Sequence, residues 1–202
     1  MSGLNAAFVD IGGNKEAFIH YHDLGENCPT INNFVQKILN DRKRMPKFEK
    51  LPPLNKDGQI RSVLTAGQLI LVQVTKEPIS TKGARLSGEI SIAGRFMVMM
   101  PCTDNKTSVS SKISNREEKV RLRQLVHSIK PNDYSLIIRT IAEGKKVAEL
   151  DNELKILKTR WEKTIDSLRK SKEVGLLSQE SSRVVSIVRD FVDNDYEQIY
   201  IN

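Results

Sequence analysis

The chain has 202 residues, 39% hydrophobic and 28% charged, and its 32 Lys and Arg against 25 Asp and Glu give a formal charge of +7. That is enough to bury a core as one large domain or two small ones, and a pI near 9.4 points to a polyanionic partner, nucleic acid or an acidic membrane face, with a basic protein lacking such a ligand as the even alternative. No run approaches the ~18 apolar residues of a membrane span, the start lacks a signal peptide, and Cys28 and Cys102 are too few and too far apart for a disulfide scaffold or a zinc site, so a reducing, cytoplasmic compartment is expected.

The first segment reads as a hairpin. Ala7-Phe8-Val9-Asp10-Ile11 runs into Gly12-Gly13-Asn14, and Glu16-Ala17-Phe18-Ile19-His20 returns. Gly-Gly-Asn accepts positive φ, and a loop over 12–14 sets Phe8 opposite Phe18. The spacing predicts a short amphipathic helix over 31–43, with Phe34 and Ile38 on one face. Arg42, Lys43, Arg44, Lys47 and Lys50 follow, then Leu51-Pro52-Pro53 and Asp57-Gly58. These mark a solvated loop in preference to a binding site.

Residues 68–75 read as a strand buried on at least one face. Lys82 to Ser87 leads into a second strand, and 95–101 is a third, buried and closed by Pro101. Asn115 with Glu118 resembles a capping box, and Leu122, Leu125, Val126 and Ile129 follow as one helical stripe. Ser135–Thr140 reads as a strand delivering Arg139 and Thr140 at its end. Val147, Leu150, Leu154, Leu157, Trp161 and Leu168 form the seam of a long helix. A packed helix is preferred to a coiled-coil dimer because the seam is short. A further helix is expected near 181–192, through Val184, Ile187, Val188 and Phe191, and a strand over 198–202. Both ends have the look of cuts from something larger.

Few residues suggest chemistry by spacing. His20 and His22 can share one side of a strand, but a structural zinc needs about four ligands and no third is placed. No phosphate-loop, dinucleotide or nucleophile-elbow motif occurs. Phe8 and Phe18 either stack on unpaired bases, with Lys76 and Lys82 on the phosphates, or fill a barrel core; spacing leaves both open. Arg139 and Thr140 together can grip a phosphate, with Gly94 bringing a backbone N–H close. On spacing alone, an exposed Arg without a ligand is the stronger reading.

Three segments carry a resemblance. They are Gly3-Leu4-Asn5-Ala6-Ala7-Phe8-Val9-Asp10-Ile11-Gly12 with Ala17-Phe18-Ile19-His20; Lys76-Glu77-Pro78 through Thr81-Lys82-Gly83-Ala84-Arg85-Leu86-Ser87 into Ile90–Phe96; and Ile137-Ile138-Arg139-Thr140-Ile141-Ala142-Glu143-Gly144. The chain resembles the RNase E/G family of bacterial endoribonucleases over essentially its whole length, and looks nearest to the ribonuclease G branch. The resemblance implies an α+β chain: an incomplete OB-fold barrel of the S-one type over 1–88, a 5′-sensor domain over 89–180, and the start of an RNase H-like segment over 181–202.

By motif, the resemblance makes Phe8 and Phe18 RNA-stacking aromatics and Lys82, with Lys76, a basic RNA contact. Arg139 and Thr140 become the grip on a 5′-terminal monophosphate. Gly94 becomes its backbone donor, and Val98 lies under the terminal base. Some family members carry a further Arg where Val109-Ser110 is followed here by Ser111 and Lys112, and Lys112 compensates. No cofactor is expected in this chain. The family's metal-binding carboxylates, for magnesium, and its two-cysteine zinc link between subunits would lie beyond Asn202. The opening barrel strand would precede Met1. The expected partner is single-stranded RNA with a 5′-monophosphate, the whole enzyme a homo-oligomer, and this chain inactive alone. The alternative is a non-catalytic OB-fold RNA-binding module.

Overall fold

The computed structural model describes residues 3–43, 46, 48–180, 184, 185, 187, 188, 198 and 200. The described part is a mixed α/β arrangement of two four-stranded sheets and three helices, and neither sheet closes into a barrel. Most of the helix expected near 181–192, and most of the strand expected over 198–202, lie outside the described residues.

Strands β1 (Ala6–Val9) and β2 (Ala17–His20) form the expected hairpin, with Phe8 opposite Phe18. Its connection is longer than 12–14, because the Asp10 carboxylate accepts the Gly12 N–H at 2.8 Å and turns the chain early. β3 (Gln73–Lys76) is shorter than the expected 68–75 and exposed from Val74 onward. It pairs antiparallel with β4 (Arg85–Ser87) across a bulge between Val74 and Lys76, and β4 pairs parallel with β2. The first sheet therefore runs β1-β2-β4-β3. Gly83 permits the β4–β2 approach, since a Cβ there would stand 1.9 Å from the Glu16 carbonyl oxygen. One residue on, the Ala84 carbonyl accepts the Phe18 N–H at 2.8 Å.

Strand alternation turns Ala17, Ile19 and Leu86 inward, where they pack with Tyr21, Leu24, Cys28 and Ile60. The segment 51–58 is a loop with Pro52, Pro53, Asn55, Lys56 and Asp57 exposed, as expected, and its backbone is also tied down over this core. Tyr21 Oη donates to the Asn55 carbonyl at 2.5 Å, and the Leu54 N–H donates to the Glu26 carbonyl at 3.0 Å. The Asn5 carboxamide donates to the Gly58 carbonyl and accepts the Ile60 N–H, at 3.0 and 2.8 Å.

Helix α1 (Cys28–Asn40) starts and ends three residues earlier than expected, with Pro29 in its first turn, where the missing N–H costs nothing. It belongs to both cores. Cys28 faces the first, while Ile31, Phe34, Val35 and Ile38 enter a second and larger one.

The larger core lies under the second sheet. Strands β5 (Ile92–Ala93), β6 (Met97–Pro101), β7 (Thr107–Val109) and β8 (Tyr134–Ile138) run in the order β5-β6-β8-β7, with β7 parallel to β8. β7 is an edge strand of Thr-Ser-Val, too short to announce itself in the sequence. Met97, Met99, Leu136 and Ile138 point inward from the sheet.

Helices α2 (Arg116–Ile129) and α3 (Val147–Lys170) contribute the rest of this core. Asn115 caps α2 by accepting the N–H groups of Glu117 and Glu118 at 2.9 and 3.2 Å. The second half of the expected capping box is absent. The Glu118 carboxylate turns away to a two-pronged pair with Arg121, at 2.6 Å to both nitrogens, and to the Gly144 N–H at 2.9 Å. On α3 the buried stripe is Leu150, Leu154, Leu157, Trp161, Ile165 and Leu168; Val147, expected in the seam, is exposed. Packing against α1, α2 and the sheet covers the stripe within the chain.

Arg42 and Arg169 then join the ends of α1 and α3. Arg42 donates to the Arg169 and Ser171 carbonyls, and Arg169 donates to the Arg42 and Lys43 carbonyls, both at 2.9 Å. Each guanidinium supplies donors to carbonyls at or just beyond a helix C-terminus.

Trp161 is 4% exposed and central to the larger core. Trp161→Ala is expected to cost about 3–5 kcal/mol, read by urea denaturation. Arg121 and the Gly144 N–H hold the Glu118 carboxyl down at about 2, from 4.5. A folded-state value below the unfolded one gives stability present above about pH 4.5 and lost as pH falls through about 2. Glu118→Gln should therefore be less stable at neutral pH by about 1 kcal/mol, with the gap closing in acid, in denaturation curves at stepped pH.

Candidate nucleic-acid interface

The first sheet presents one face to its core and the other to solvent. Phe8 is 56% exposed, so the aromatic pair does not fill a core; Phe18 beside it is half-buried. Their rings meet edge to face, with centroids 6.2 Å apart. Register extends the row across the sheet. Phe8 pairs with Phe18, Phe18 with Arg85, and Arg85 with Lys76, so two aromatics and two cations stand in line on the outer face. Arg85 was not foreseen among these. Its neighbour in the row comes from a parallel pairing that no local pattern reveals.

The Arg85 guanidinium is held by a two-pronged bond. Its Nε and Nη2 donate to the two carboxylate oxygens of Asp23, at 3.1 and 3.0 Å. Lys82 is exposed at the turn before β4, where the Ile79 and Lys82 backbones bond each other in both directions. His20 and His22 do stand together, with ring centroids 5.1 Å apart. His22, however, lies on a 3-10 turn over Tyr21–Leu24 and not in a strand.

The second sheet gathers the other expected residues. Arg139 follows directly after β8 and is half-buried, and Thr140 opens a 3-10 turn in solvent. The Arg139 N–H donates to the Phe96 carbonyl at 2.8 Å and its Nη1 donates to the Gly94 carbonyl at 2.6 Å. The two residues distant in sequence are thus brought into contact. The Gly94 N–H, however, donates to the Met97 carbonyl at 2.8 Å, because the β5–β6 hairpin closes there. Val98 is half-buried and pairs with Ala93 on one side and Ile137, 40% exposed, on the other. Lys112 is exposed beyond β7, with its N–H on the Ser110 hydroxyl at 3.3 Å.

A residue with no sequence signal organises this end of the sheet. The Glu153 carboxylate, from α3, accepts the N–H groups of Arg95, Phe96 and Met97 at 2.5, 2.8 and 3.0 Å. Burial raises its pKa, opposed by those three donors and by the Arg139 charge. A Cβ on Gly94 would stand 2.7 Å from the Glu153 Cδ, so glycine is what lets the carboxylate in. Phe96 lies beneath two cations, Arg95 and Lys145, at 5.8 and 5.5 Å from its centroid. Arg139, Arg95 and Lys145 bring three cations to this turn, against the Glu153 carboxylate and the Glu149 that pairs with Lys145 at 3.4 Å.

Among the described residues no three His, Cys, Asp or Glu side chains come together to hold a metal. Cys28 and Cys102 sit in different cores, and burial pushes their thiols up to about 11 and about 12. Neither fits a shared zinc link. No helix among the described residues is long and apolar enough to cross a membrane.

Known proteins resemble the chain along its whole length. It is 33% identical over 202 residues to ribonuclease G of Haemophilus influenzae and 31% identical to ribonuclease G of Escherichia coli. It is 31% identical over 203 residues to ribonuclease E of a Nostoc species. All of this chain is covered each time, but only 38%, 38% and 26% of those proteins. A model of the Ribonuclease E/G family matches residues 91–202, more than half of the chain. The chain belongs to the ribonuclease E/G family.

Proposed function

We propose that this chain is the RNA-recognition portion of an RNase E/G-type endoribonuclease, acting in RNA processing and decay. Residues 1–88 act as the OB-type module, 89–180 as the 5′-end sensor, and 181–202 as the start of the RNase H-like part. The observation that carries this reading is the outer face of the first sheet, where Phe8 is left 56% exposed against Phe18 with Lys76 in the same row. An exposed aromatic pair on a basic sheet offers π-faces to unpaired bases, and the lysines meet phosphates. The OB-type reading of residues 1–88 comes from the likeness to the ribonucleases G and E; the first sheet itself has four strands and stays open.

The sensor reading rests on Arg139, Thr140 and Lys112 around the end of β8. Arg139 supplies a planar fork and Thr140 a hydroxyl to a terminal phosphate. Val98 and Ile137 give the terminal base an apolar floor. Gly94 contributes by close packing more than by its N–H, which the Met97 carbonyl occupies. A 5′-monophosphate competes with the carbonyl of Gly94 and the charge of Glu153 for the guanidinium. A triphosphate is excluded by size and by charge beyond what Arg139 can match. No cleavage step is assigned to the described residues, which offer no metal-holding cluster.

The test is fluorescence anisotropy with a short labelled single-stranded RNA, bearing either a 5′-monophosphate or a 5′-hydroxyl, across a salt series. The wild-type chain should bind the monophosphate more tightly, and Arg139→Ala should erase that difference while keeping most of the overall affinity. Phe8→Ala should weaken both RNAs alike, by about 1–3 kcal/mol. Equal binding of both ends by the wild type would favour a generic, non-catalytic RNA-binding module. A uniform loss across both ends in Arg139→Ala would count against a sensor.

A further inference from the structure

We propose that Arg85 is a third stacking platform of the RNA-binding face, its guanidinium taking the base next to the one on Phe18. The inference rests on the RNA-binding reading above and adds a residue to it. Three observations carry it. Register places Arg85 directly beside Phe18 in the cross-sheet row, one strand spacing of about 4.8 Å away. Strand alternation sends Ala84 and Leu86 into the core and Arg85 to the outer face, where its side chain is 51% exposed. The two-pronged bond to Asp23 orients the guanidinium plane before any ligand arrives.

The ion pair also decides what kind of contact Arg85 makes. Asp23 already matches its charge, so its value to RNA lies in the plane, on which an unpaired base can stack. Lys76, one strand further along the row, is the residue suited to a phosphate. The row thus reads ring, ring, plane, point charge. Held planes cost little ordering entropy on binding, which is why a bidentate arginine differs from a lysine at the same position.

The experiment compares the wild-type chain with Arg85→Lys, Arg85→Ala and Phe8→Ala, using a labelled single-stranded oligoribonucleotide with a 5′-hydroxyl across a salt series. Thermal melts establish that each variant is folded. Arg85→Lys keeps the charge and removes the plane. It should weaken binding about five- to a hundred-fold, as Arg85→Ala does, with the slope of log affinity against log salt unchanged. Two results would overturn the inference while sparing the RNA-binding reading. One is Arg85→Lys binding like wild type while Phe8→Ala weakens. The other is Arg85→Lys restoring what Arg85→Ala loses, with the alanine slope shallower by about 0.7, the mark of a phosphate contact. If Phe8→Ala and Arg85→Lys both bind like wild type, the RNA-binding reading of this face falls with it.

Discussion

The Glu153 carboxylate is the constraint on which the Arg139 end of the second sheet depends. Three consecutive backbone N–H groups converge on it, from Arg95, Phe96 and Met97. Without an acceptor those donors would be left at a partly buried turn, which is costly. With it, the β5–β6 turn is pinned to α3. The same turn offers the Gly94 and Phe96 carbonyls to Arg139. An acidic residue on a helix thereby sets where a basic residue on a distant strand points. Burial raises its pKa, against the three N–H donors and the Arg139 charge that favour the ionised form.

The two sheets solve the same problem in the same way. Each packs one face into a core and leaves the other facing out. On the first sheet the outer row is Phe8, Phe18, Arg85 and Lys76. On the second it is Ala93, Val98, Ile137 and Ser108. Helix α1 joins them by giving Cys28 to one core and Ile31, Phe34, Val35 and Ile38 to the other. The cross-capping arginines 42 and 169 then tie its end to that of α3. An exposed aromatic face and a charged turn become parts of one packed chain by this route.

Local patterns were legible where the partners are close in sequence. The Phe8–Phe18 pair follows from one hairpin, and the Asn115 cap and the α3 stripe follow from helical spacing. Over 68–75 the apolar run extends beyond the strand: only Gln73–Lys76 pairs, while Val72 packs on the first core, Leu71 on the larger one, and Leu69 and Val74 stay exposed. The prolines and Asp-Gly of 51–58 do mark an exposed loop, but composition cannot show that Asn5, Glu26 and Tyr21 hold its backbone groups. Glu153 gave no signal at all, because between Leu150 and Leu154 it looks like any solvated helix position.

The sequence by itself determined the local vocabulary: which segments alternate, which carry a 3.6 period, where glycine must turn, and which family the motifs belong to. Those features are written in neighbours along the chain. Only the tertiary structure decided that Arg85 stands beside Phe18, that Arg139 meets Gly94, and that Glu153 fills the turn between them. Each joins residues far apart in sequence through a parallel pairing, a strand end or a helix face. Such juxtapositions follow from how the two cores close, and that is a property of the whole packed chain.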